Sequence, residues 1–137
     1  MASLLKGTAF ITGAASGIGR ATAVSFARFG IQRLALADIN EPALKASNEE
    51  LRQQFSGVEV LDLTMDVQDT AQVSSSIAEA VRAFGRLDVA VNNAGTGGAG
   101  EKTHELPESE WNRIVGINLN GVWRCQREEL GVMLKQE

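Results

Sequence analysis

The sequence contains no tyrosine, so no phenol is available among its 137 residues as a general acid or base. It has a single cysteine, Cys125, which excludes an intramolecular disulfide and a cysteine-rich metal site; no metal is expected, and the thiol should pack as a small apolar side chain. Positive charge is scarce too. Thirteen Lys and Arg against 17 Asp and Glu leave a formal net charge of -4 without any basic cluster, which argues against nucleic acid and anionic membrane as partners. No apolar run approaches the roughly 20 residues of a membrane span. The opening Met-Ala-Ser-Leu-Leu-Lys holds two large apolar residues before a charge, too few for a signal-peptide core, so a cytoplasmic location is expected. What is there, 44% hydrophobic and 22% charged residues, suits one globular domain over residues 1–137, with no linker, internal repeat or low-complexity segment.

Apolar runs of strand length alternate with segments of helix length, the pattern of an α/β fold with a parallel sheet and crossover helices. Residues 8–12 read as the first strand and 17–29 as the helix behind it. In that helix Ile18, Ala21, Thr22, Ser25, Phe26 and Phe29 recur at three and four residues as the face for the sheet, and Gly30 is its stop. Residues 34–37, closed by Asp38, form the second strand; a helix opens at Pro42, buries Leu44, Leu51 and Phe55, and is stopped by Gly57. Residues 58–63 and 87–91 are the expected third and fourth strands, separated by a helix over 71–84 that Gly85 closes. The loop 92–102 carries six small or flexible residues in a row, from Ala94 to Ala99, and should be mobile without a ligand. A last helix starts near Pro107. Trp111, Val115, Asn118, Val122 and Cys125 follow at spacings of four and three, which puts Asn118 on the inward face among apolar neighbours. A buried amide there needs partners, because leaving it unsatisfied costs about 1 to 3 kcal/mol. Gly116 and Gly121 within the helix each cost up to ~1 kcal/mol relative to alanine, which close approach of another backbone would explain.

The chemistry begins at Thr12-Gly13-Ala14-Ala15-Ser16-Gly17-Ile18-Gly19, directly behind an apolar strand. A glycine turn between a buried strand and a helix presents main-chain N–H groups at the positive end of the helix dipole, where a pyrophosphate can sit, and no Cβ blocks the approach at Gly13, Gly17 or Gly19. Asp38 ends the second strand 25 positions after Gly13, near the spacing of about 20 at which an acid accepts from an adenosine ribose. The plainer role is a helix-capping aspartate before Asn40-Glu41-Pro42; the glycine turn favours the ribose. A carboxylate repels a 2′-phosphate, and Ser16 and Ile39 stand where an Arg or Lys might offset it, so NAD is inferred over NADP, with Arg20 and Arg33 the nearest basic residues. Asp66-Val67 follows the third strand at the same sheet edge: Asp66 either accepts from an adenine amino group or caps the next helix with Asp69. Asn92-Asn93-Ala94-Gly95 leaves the fourth strand at the same crevice, either bordering a ligand or pinning neighbouring strands.

Taken together, Thr12-Gly13 with Gly17-Ile18-Gly19, Asp38, Asp66-Val67, Asn92-Asn93-Ala94-Gly95 and Asn118 resemble the amino-terminal part of a short-chain dehydrogenase/reductase, over essentially the whole chain. The resemblance implies a doubly wound, Rossmann-type parallel sheet, incomplete here with four strands and crossover helices. It implies that Ile18 and the glycines line the pyrophosphate, that Asp38 binds ribose, that Asp66 and Val67 contact adenine, and that residues 92–95 border the nicotinamide ribose. Arg127 matches a basic position on the helix of Asn118, and Asn118 itself would hold a water in a proton relay. The candidate cofactor site is therefore Gly13, Ser16, Gly17, Ile18, Gly19, Asp38, Asp66, Val67, Asn92, Ala94, Gly95 and Arg127, with Asn118 as candidate catalytic residue. The family's catalytic serine and Tyr-x-x-x-Lys pair lie beyond that helix, and this sequence does not include them. The implied activity is NAD(P)-dependent hydride transfer to or from an alcohol or ketone, in a chain expected to be inactive or a fragment, with residues 87–91 left as an exposed sheet edge. Two alternatives stand beside it: a non-catalytic nucleotide-binding or oligomerising module using the last helix, where Trp111 and Trp123 suit a contact, and an adenosyl-methionine-dependent methyltransferase, against which the asparagine pair and the Gly17-Ile18-Gly19 spacing argue.

Overall fold

The computed structural model describes residues 5–136. Strands β1 (Thr8–Thr12), β2 (Arg33–Asp38), β3 (Glu59–Thr64) and β4 (Val89–Val91) alternate with helices α1 (Gly17–Arg28), α2 (Glu41–Gln54) and α3 (Thr70–Phe84). The final helical stretch is α4 (Glu108–Val115), a π-helical segment (Gly116–Gly121) and α5 (Val122–Met133) in unbroken succession. All strand pairs are parallel, in the order β3-β2-β1-β4, with Phe10 opposite Ala35 and Ala90. This is the expected α/β sheet, and β4 is indeed an edge.

Side chains of β1 alternate between two cores. Ala9 and Ile11 meet Ala23, Leu44 and Leu51 from α1 and α2, while Phe10 on the other face meets Val73, Ile77, Ala80 and Cys125 from α3 and α5. A strand apolar on both faces is what a sheet covered by helices on both sides requires. Local chemistry sets the boundaries. The Asn40 side chain accepts from Ala43 N at 3.1 Å to start α2, Asp69 accepts from Ala71 N and Gln72 N to start α3, and Gly85 closes α3 at φ 81°. At the start of β4, Asp88 accepts from Thr8 N at 2.9 Å and pairs with Arg86. Burial opposes its charge, yet Arg86, the Thr8 N–H and Arg33 hold its carboxyl below the usual range.

Several expectations need correction. The sheet-facing row of α1 is Gly19 and Ala23 with Thr22, Phe26 and Ala27 half-buried, whereas Ile18 is 77% exposed and Ala21, Ser25 and Phe29 are exposed. The start of the helix lies against the turn before it, where a Cβ on Gly19 would meet the Gly13 carbonyl oxygen, while Val24 and Phe26 further along pack on the core. Helix α2 ends at Gln54, with the Phe55 N–H bonded to Leu51 O, before Gly57, which takes no left-handed conformation. Strand β4 is shorter than expected because Leu87 bonds to a side chain: its N–H donates to Gln136 Oε1 and its carbonyl accepts from Gln136 Nε2, both at 2.7 Å.

The last helix departs most. Trp111 is 58% exposed and Asn118 is exposed, while Val115 and Val122 are half-buried and Cys125 is buried. A π segment fits more residues into each turn than an α-helix, so the apolar spacing read across it does not describe one face. The two glycines let this segment approach the loop after β3: a Cβ on Gly121 would meet Val67 Cγ2 at 2.7 Å, and one on Gly116 would meet Gln68 Oε1 at 3.0 Å. Side chains, rather than the backbone expected from sequence, occupy that space.

Candidate functional site

A cleft of about 770 Å³ opens at the carboxyl ends of the four strands. Its centre is the turn from β1 into α1. Gly13 and Gly17 take φ of 66° and 53°, and a Cβ on Gly19 would run into the Gly13 carbonyl oxygen. The turn is tied to the exit of β4: Asn93 Nδ2 donates to Thr12 O at 3.1 Å and to Gly13 O at 3.3 Å, and the Thr12 hydroxyl accepts from Ala94 N at 3.0 Å. Ser16, at the start of α1, makes no side-chain capping bond, and the first turn carries no acid. The positive end of α1 therefore faces the cleft without a side-chain partner, unlike those of α2 and α3.

Asp38 stands beside this turn. Its Oδ2 accepts from Ala15 N at 3.0 Å and its Oδ1 from Asn40 N at 2.9 Å, so it braces the turn while Asn40 caps α2. Ser16 and Ile39 line the cleft with it. Arg20 pairs with Glu50, and Arg33 at the other end of β2 binds Glu59 and the Phe84 carbonyl, so neither basic residue is beside Asp38. After β3, Asp66 and Val67 also line the cleft. Asp66 Oδ1 accepts from Gln68 N at 2.9 Å, while Asp69 alone caps α3.

On the β4 side, Asn93, Ala94, Gly95 and Thr96 line the cleft. Asn92 does not: it points to α5, donating from Nδ2 to Glu129 Oε2 at 2.8 Å. Asn118 is not buried among apolar groups as its spacing suggested. Its amide clamps the backbone of Thr96, accepting from the N–H and donating to the carbonyl, both at 2.8 Å. Arg113 reaches the same loop, donating to Thr96 Oγ1 and Gly97 O at 3.1 Å while it pairs with Glu110. Arg127 is elsewhere: it pairs with Glu128, lies 5.0 Å from the Trp123 ring centroid and lines a separate groove with Lys135. Among the cleft residues that the sequence did not single out are Gln68, Thr96, Arg113 and Ile117; the spacing of four between Arg113 and Ile117 is a signal that could have paired those two. Cys125 has no reactive character, since burial pushes its thiol up to about 12.

A parallel sheet with a glycine turn at its centre and a cleft at the carboxyl ends of its strands is the architecture of a Rossmann-like α/β protein. The family model for short chain dehydrogenases matches residues 7–137, and the chain belongs to that family. It is 38% identical over 126 residues to levodione reductase of Leifsonia aquatica, covering 92% of this chain and 47% of the relative. Among solved structures, a short chain dehydrogenase/reductase from Burkholderia phymatum in complex with NAD is 38% identical with a TM-score of 0.89, over 98% of this chain and 46% of that one. NAD+-bound xylitol dehydrogenase is 32% identical with a TM-score of 0.90, over 95% and 49%. The chain thus spans about half the length of these relatives. Family membership removes the methyltransferase alternative. No helix among the described residues is long and apolar enough to cross a membrane.

Proposed function

We propose that the cleft binds NAD, as the cofactor-holding part of an oxidoreductase that moves hydride between a nicotinamide and a small alcohol or ketone. The observation that carries this reading is the juxtaposition, in one cleft, of the uncapped amino end of α1 and the braced carboxylate of Asp38. A diphosphate would take the N–H groups of Gly17, Ile18 and Gly19, where the helix dipole favours negative charge. Each Asp38 oxygen keeps a lone pair beyond the bond it already accepts, enough for two ribose hydroxyls. Asp66 and Val67 would border adenine, and Asn93, Ala94 and Gly95 the nicotinamide ribose. Charge favours NAD over NADP, because Ser16 and Ile39 accompany Asp38 and Arg20 is engaged by Glu50. Relatives solved with NAD support the same choice.

When bound, NAD supplies the hydride acceptor or donor; these residues hold and orient it. Asn118 spends one lone pair and one N–H on Thr96, and so fixes the loop at Gly95 and Thr96 beside the nicotinamide end. Reducing a carbonyl also requires a proton, and the 137 residues contain no tyrosine to give one. On their own they bind NAD without turning over an alcohol or ketone. A second feature supports self-association through the last helix: Leu119, Trp123, Leu130 and Leu134 are all exposed large apolar residues along it.

Calorimetric titration with NAD and NADP tests the nucleotide reading. NAD should bind at least about tenfold more tightly than NADP, and Asp38→Ala should bring the two close to parity. Equal affinities in the unmodified chain, or an unchanged ratio in the variant, would refute it.

A further inference from the structure

Glu129 is a carboxyl group with no place in the cleft. It is 2% exposed, on the inner face of α5, and its one hydrogen bond is accepted by Oε2 from Asn92 Nδ2 at 2.8 Å. Glu129 Oε1 and Asn92 Oδ1 are both buried without a partner. An ionised carboxylate only accepts, and so does an amide oxygen, so these two orphans cannot serve each other. One proton on Oε1 changes that. It turns this oxygen into a donor to Asn92 Oδ1 and closes a ring of two hydrogen bonds between acid and amide, leaving neither atom orphaned.

We propose that Glu129 is held as the neutral acid and forms such a ring with Asn92, latching α5 to the exit of β4. Asn92 is adjacent to Asn93, whose amide secures Thr12 and Gly13, so the latch positions the glycine turn without touching a nucleotide. This positioning role rests on the NAD reading; the protonation does not.

The surroundings agree. No cation among the described residues pairs with Glu129: Arg124 gives its guanidinium to the carbonyls of Val67 and Gly116, and Arg127 pairs with Glu128. Cys125 on the same helix stays a neutral thiol. Helix α3, which packs against α5, buries Val73, Ser76, Ile77 and Ala80, while its charged Glu79 and Arg82 are exposed. Burial pushes the Glu129 carboxyl up, and the hydrogen bond from Asn92 opposes this only in part. A carboxyl raised on folding stabilises the fold fully below the ordinary carboxylate range, and that contribution is lost as pH rises through the raised value.

Glu129→Gln supplies the test, because an amide at this position keeps both bonds of the ring but has no proton to lose. Melting temperatures of the two chains should coincide at acid pH and separate as pH rises, the variant ending higher by on the order of 3 °C or more. Difference infrared spectra should show a protonated carboxyl band at neutral pH in the unmodified chain and none from this position in the variant. A gap independent of pH, or a variant less stable at alkaline pH, would overturn the latch. NAD affinity of the unmodified chain should fall over the same pH range while that of the variant does not. NAD affinity that ignores pH despite a widening gap would overturn the positioning role. Absence of NAD binding with the gap intact would instead refute the nucleotide reading and leave the protonation standing.

Discussion

Where β1 and β2 leave the sheet, the wall of the cleft is made by the backbone: Gly13 and Gly17 turn through positive φ, and the Asp38 carboxylate is braced by the main-chain N–H groups of Ala15, in the turn after β1, and of Asn40. Where β4 leaves it, side chains from distant segments make the wall, with Asn93 reaching back to Thr12 and Gly13, and with Asn118 and Arg113 reaching across to Thr96 and Gly97. The first wall is set by main-chain geometry at the glycines and by main-chain N–H groups. The second rests on side-chain hydrogen bonds from the final helix to the loop after β4. The contrast teaches that one cleft can have a side set by backbone geometry and a side that depends on a few side-chain hydrogen bonds.

The most severe way to break the first wall is Gly19→Ala, whose methyl group would collide with the Gly13 carbonyl. Relief needs movement of main chain, so stability should fall by about 3 kcal/mol in urea unfolding and NAD binding should disappear. Asn118→Ala strikes the second wall more gently. It removes two hydrogen bonds from an exposed clamp, so about 1 kcal/mol of stability should be lost, with faster proteolysis within residues 95–102 while most of the NAD affinity remains. If this variant were as damaging as Gly19→Ala, the distinction between the walls would not hold. Trp123→Ala should have the smallest effect on the folded monomer, within about 0.5 kcal/mol, because the ring is 56% exposed. Sedimentation should nonetheless show weaker self-association; an unchanged association constant would remove the last helix as the contact.

The same contrast explains what could be read from the sequence. Alternating strands and helices, the glycine turn, the end of α3 at Gly85 and the position of Asp38 at the end of β2 are set by neighbours in the chain, and each is found where the sequence implied. Misreadings cluster where a contact crosses long sequence distances. The 3.6-residue period cannot announce a π segment, so the spacing puts Asn118 in the interior although it faces Thr96. Asn92 and Asn93 are adjacent and chemically identical, and only the tertiary position of Glu129 reveals which one turns away from the cleft. Arg127 shares a helix with Asn118, but its guanidinium lies over Trp123. In α1 the apolar spacing identifies a helix, but of its expected face only Thr22 and Phe26 turn inward, because the helix packs on the turn through Gly19 and on the core through Ala23.

The most direct test is an amide-resolved NMR titration of the chain with NAD. Binding at the glycine turn should shift the backbone N–H signals of Gly13, Gly17, Ile18, Gly19 and Asp38 first and most, leaving the groove beside Arg127 and Lys135 unmoved. Saturating NAD that left the signals of residues 13–19 in place, or moved only those of α5, would contradict a nucleotide site at this turn.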